Sequence, residues 1–133
     1  MEAVGLRFAT KGCGVSEPEP VDRAAYAALL ESVGGDAAFL VELSDAFATD
    51  AARLVACARA AAQDGRAADV ARAVHQLKAS SASLGAAHLP ELCNELEAEA
   101  RIGSNQGLIE RVSAIEAEVL RVTVMLRALG ATS

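Results

Sequence analysis

Aromatic side chains are almost missing from this sequence: there is no Trp, one Tyr and three Phe in 133 residues. A core of this size must then be filled by Leu, Val, Ile and Ala, a palette that favours helices over strands. Alanine alone occurs 31 times, so a single alanine says little and only clusters at helical spacing carry an argument. Cysteine is also scarce. Cys13, Cys57 and Cys93 are odd in number, far apart and free of CxxC pairing, so neither a disulfide framework nor a zinc site is expected, and no metal is assigned. Cys57 and Cys93 lie on or beside apolar helical stripes and read as small buried hydrophobes; Cys13 reads as exposed.

Positive charge is in short supply as well. Twelve Lys and Arg face eighteen Asp and Glu, for a net charge of -6. No basic cluster exists to displace the counterions of a phosphate backbone, which argues against nucleic acid as the main partner. There is no run of 18 or more apolar residues, and the start of the chain lacks the basic, apolar and cleavage regions of a secretory signal. No membrane partner is expected, and a cytoplasmic protein is the default. The length suits one domain and leaves no room for a separate nucleotide-binding module.

What is present is helical periodicity. Residues 1–20 show none and end in Ser16-Glu17-Pro18-Glu19-Pro20, which reads as an arm or linker. From residue 21 to 133 the chain reads as one bundle domain. A short helix follows Asp22, a plausible N-cap with Val21 and Tyr26 placed as a hydrophobic staple, and runs to about Val33 before Gly34-Gly35. A long helix begins near Asp36 with Leu40, Leu43, Phe47, Leu54 and Ala61 on one face, and stops at Asp64-Gly65. The next, from about Ala67 to Leu84, carries a narrow seam of Val70, Val74, Leu77, Ser81 and Leu84. A fourth opens at Leu89-Pro90 and buries Leu89, Leu92, Cys93 and Leu96 before ending near Gly103. The last repeats Leu108, Val112, Ile115, Val119, Val122, Leu126 and Leu129. The expected fold is all-α: an antiparallel four-helix bundle, up-down-up-down, with an additional short N-terminal helix. With the apolar stripes used internally, a monomer is expected.

At about 100° per residue, His75 points roughly 140° away from the seam of its helix and should face solvent. Ala68, Ala71, Ala79 and Ala82 lie within roughly 40° of its direction, and Arg72 and Lys78 flank it at about 60°. Solvent-facing helix positions usually carry long polar side chains, so a flat alanine surface around an imidazole suits a partner that must come close. Equally, the high alanine content would place several around any residue by chance. A neutral imidazole is a good nucleophile near pH 7, and a cation one turn away would offset the charge of a phosphoryl group. His88, beside Pro90, lacks such a setting and reads as structural or merely exposed. Glu95, Glu97 and Glu99 read as a solvated face, since no shared cleft suggests a catalytic carboxylate pair.

The run His75-Gln76-Leu77-Lys78-Ala79-Ser80-Ser81-Ala82-Ser83-Leu84-Gly85-Ala86, followed by Leu89, Leu92, Cys93, Leu96 and Glu97, resembles the signature of the histidine-containing phosphotransfer family of multistep phosphorelays. The resemblance spans about Asp22 to Leu129. It implies that His75 accepts the phosphoryl group, that Lys78 assists it, and that position 79 is small so that a receiver domain can approach. Ala79 stands where that family usually has Gly. The resemblance further implies response-regulator receiver domains and a hybrid histidine kinase as partners, with Ala71, Arg72, Gln76, Ala79, Ala82 and Ser83 around the contact. No cofactor is expected on this chain, the Mg²⁺ belonging to the receiver. A kinase dimerisation hairpin would carry a different pattern after the histidine and an ATP-binding sequence. A non-transferring receiver-binding adaptor and a purely structural bundle remain the alternatives.

Overall fold

Asp22 and Asp36 start the first two helices through their side chains. Asp22 accepts hydrogen bonds from the backbone N–H groups of Ala24 and Ala25, and Asp36 accepts one from Phe39. The computed structural model describes residues 18–132, and its helices are α1 (Arg23–Ser32), α2 (Ala37–Gln63), α3 (Ala67–Ser83), α4 (Leu89–Arg101) and α5 (Leu108–Thr132). Residues 1–17 of the expected arm, with Cys13, lie outside the described residues.

The four long helices close a ring: α2 packs on α3 and α5, and α4 packs on the same two. Short connections make successive helices antiparallel, which gives the up-down-up-down bundle expected from the periodicity. The seam of α3 is buried throughout, from Val70 and Val74 to Leu77, Ser81 and Leu84. On α5, Leu108, Val112, Ile115, Val119, Val122 and Leu126 are buried, with Leu129 packed at the margin.

Three details depart from the sequence reading. Leu43 is exposed, because the core line of α2 passes through Leu40, Ser44 and Phe47 and turns position 43 outward. Cys57 is exposed too, since its neighbour Ala58 takes the inward position, whereas Cys93 is fully buried as expected. Burial pushes the Cys93 thiol up to about 12, so it stays protonated and inert. The apolar residues of α5 are not all used internally: Leu120 and Val124 stand exposed.

The chain ahead of α1 is tied to the α3–α4 turn. The Asp22 N–H donates to the Gly85 carbonyl, the Ala87 N–H donates to the Pro20 carbonyl, and Val21 pairs with Ala86 as an isolated antiparallel bridge. Arg121 on α5 donates to the Pro18 carbonyl at 2.8 Å. Gly85 has φ +83°, and a Cβ there would sit 3.1 Å from the Ala25 methyl, so the close approach of α1 needs glycine. Among the described residues, no single helix is long and apolar enough to cross a membrane.

Candidate functional site

His75 lies near the middle of α3, one residue past the seam position Val74, and its side chain is 57% exposed. α4 packs along this side of α3 and brings Glu97 under the imidazole. His75 Nδ1 lies 3.0 Å from Glu97 Oε2. A carboxylate can only accept, so Nδ1 carries a proton, and in the neutral ring the lone pair is on Nε2. The neutral ring is thus held in one tautomer, with Nε2 as its nucleophilic nitrogen.

Glu97 is the hub of the site. Its side chain is only 9% exposed, and both oxygens are occupied. Lys78 Nζ donates to Oε1 at 3.0 Å and also to Asn94 Oδ1 at 3.3 Å. Arg101, one turn further along α4, donates to Oε2 through Nε at 2.9 Å and Nη2 at 2.6 Å. The Arg101 hydrogen bonds, followed by those of Lys78 and the charges of Lys78 and His75, hold the Glu97 carboxyl down at about 2 against the opposing effect of burial. It is therefore ionised at any physiological pH.

The expectation of a solvated Glu97 is corrected by this burial. The stripe of α4 runs Leu89, Cys93, Leu96 and Ala100, and Glu97 stands four residues after Cys93 on that same inward side. A carboxylate on an apolar stripe, followed at i+4 by an arginine, was the available signal. Glu95 is exposed and Glu99 half-buried.

The other expected positions divide cleanly. Arg72, Gln76, Ala79, Ala82 and Ser83 are exposed around His75. Arg72 pairs with Asp69 on its own helix, and the Ser83 hydroxyl donates to the Ala79 carbonyl. Ala71 is buried, so it does not stand on the outward surface; it belongs to the floor of an open depression of about 700 Å³ lined also by Ala68, Arg72, His75, Arg101 and Gly103. His88 stands at the start of α4 without a side-chain cap bond, and its Nε2 is buried. Among the described residues no group of three or more His, Cys, Asp or Glu side chains is placed to hold a metal ion.

The helical bundle thus presents one exposed imidazole, tethered from behind by Glu97 and bordered by the cations Arg72, Lys78 and Arg101. The Hpt domain model matches residues 42–131, and the chain belongs to that family: it is a histidine phosphotransfer protein of the phosphorelay type. Among solved structures, the crystal structure of histidine-containing phosphotransfer protein B (HptB) from Pseudomonas aeruginosa PAO1 is similar, with a TM-score of 0.78 and 28% identity over 89% of this chain and 99% of that one. No curated protein sequence matches the chain. The family match begins within α2, so α1 lies outside it, although Gly85, to which the chain ahead of α1 is bonded, lies within.

Proposed function

We propose that the chain carries a phosphoryl group on Nε2 of His75, taking it from the aspartate of one receiver domain and giving it to another. The observation that carries this reading is the hydrogen bond from Nδ1 to the buried Glu97 carboxylate, which in the neutral ring puts the lone pair on Nε2, on a side chain that is 57% exposed. In the forward step the Nε2 lone pair attacks phosphorus in line, the bond from phosphorus to the aspartyl oxygen breaks, and its electron pair leaves on the carboxylate. The proton on Nδ1 stays where it is. The product is a cationic phosphoimidazole, paired with Glu97.

The same proton serves the return step. With Nδ1 protonated, the ring leaves as neutral imidazole, a far better leaving group than an imidazolate. Glu97 thus favours the transferable form in both directions, while Lys78 balances charge one turn along α3. The protein supplies position and electrostatics and no covalent help beyond Nε2. Arg72, Gln76, Ala79, Ala82 and Ser83 form the surface a receiver covers, and a hybrid histidine kinase stands upstream. In this reading the chain acts in the cytoplasm as a monomer, has no kinase activity, and leaves Mg²⁺ to the receiver.

The test is to mix the protein with a receiver primed by acetyl phosphate and Mg²⁺ and look for acid-labile, alkali-stable phosphate. Label on the wild type and none on His75→Gln is the expected result. Label retained by His75→Gln would overturn it by moving the acceptor to another residue, and none on the wild type with several receivers that are themselves phosphorylated would overturn it in favour of a receiver-binding adaptor.

A further inference from the structure

We propose that Arg101 is an exchanging cation, bonded to Glu97 while His75 is free and to the phosphoryl group once His75 carries one. The inference rests on the reading of His75 as the acceptor and adds a residue to it. Three N–H groups converge on the single oxygen Oε2 of Glu97: two from Arg101, at 2.9 and 2.6 Å, and Nδ1–H of His75 at 3.0 Å. The other oxygen belongs to Lys78. Lys78 lies on the side of Asn94, whereas Arg101 lines the depression beside His75. The Arg101 side chain is 61% exposed, so no packing holds it beyond its bonds to Glu97. Arg72, the other arginine of the depression, is already paired with Asp69.

Phosphorylation changes both ends of this arrangement in the same direction. The ring becomes cationic, so its Nδ1–H needs Oε2 more. The phosphoryl group on Nε2 presents up to two negative charges and three acceptor oxygens at the mouth of the depression, matched to the planar fork of a guanidinium. Arg101 lines the depression with His75 and shares Oε2 with its Nδ1–H, so it is the cation whose departure from Oε2 serves both ends. The exchange tightens the hold of Glu97 on His75 as the phosphoryl group arrives, and makes Arg101 a phosphoryl-binding residue distinct from Lys78.

The experiment uses the full chain loaded with phosphoramidate, which transfers its phosphoryl group to imidazole with release of ammonia and needs no protein partner. The second ionisation of the phosphoryl group is followed by ³¹P NMR in wild type, Arg101→Gln and Arg101→Lys, with His75→Gln to identify any label on His88. A guanidinium on the phosphoryl oxygens should lower their proton affinity by roughly tenfold, the worth of one charge-assisted hydrogen bond. Arg101→Gln should lose that shift and Arg101→Lys should keep part of it. Identical titrations in wild type and Arg101→Gln would overturn the exchange while leaving His75 as acceptor. Failure of wild-type His75 to take the label would overturn both.

Discussion

Glu97 fixes the working state of the imidazole, and its own charge state depends on the cations that share it. Its carboxyl sits at about 2, against 4.5 for the unperturbed group. A depressed carboxyl stabilises the fold above its unfolded value, and that contribution is lost as pH falls through the folded one. The stability difference between wild type and Glu97→Gln should therefore be constant above about pH 4.5 and shrink as pH falls from there toward 2. Urea denaturation at several pH values measures it, and a difference that stays flat down to pH 2.5 would contradict the ion-pair hub. His75→Gln, by contrast, removes a largely exposed ring whose one bond is to Glu97, and should cost no more than about 2 kcal/mol. A large loss in a thermal melt would mean the ring is part of the core. Lys78→Ala should slow transfer more than it weakens receiver binding, since the ammonium acts on charge at the site; equal transfer rates would remove it from the mechanism.

α3 and α4 form the site as a pair, one presenting the His75 imidazole and the other the Glu97 carboxylate that holds it. In the proposed function docking falls on the exposed face of α3, where Ala79 follows Lys78 by one residue. Ala79→Leu should abolish receiver binding by bulk alone without changing helix content, and undiminished affinity in calorimetry would place the receiver elsewhere. At the end of α3, Gly85→Ala should cost about 1–2 kcal/mol, because the left-handed backbone penalises a Cβ and that Cβ meets Ala25. The helices themselves were legible in the sequence: Asp22 and Asp36 are cap residues in the chain and caps in the fold, and the α3 and α5 stripes are buried nearly as read. Leu43 and Cys57 were misplaced because a helix stripe is narrower than the set of apolar residues near it. Glu97 was misread for a different reason. A carboxylate looks like a surface residue until the partners that compensate its burial are known, and Lys78 and His75 come to it from another helix.

Across the whole molecule, the scaffold and the site divide between helices. α5 closes the bundle against α2 and α4, far from the imidazole in sequence and in packing. Leu126 is fully buried there. Leu126→Ala should cost about 2–5 kcal/mol and leave phosphoryl acceptance per folded molecule unchanged, because the α3–α4 pair holds the site without it. The most direct test of the arrangement as a whole is to locate the phosphorus on the ring. Protein labelled with ¹⁵N-histidine and phosphorylated by a receiver can be read by long-range ¹H–¹⁵N correlation, which separates the two nitrogens of His75 and sets both apart from His88. Phosphorus on Nε2 of His75, with Nδ1 still protonated, is the expected result; phosphorus on Nδ1, or on His88, would contradict the role given to Glu97 and with it the site.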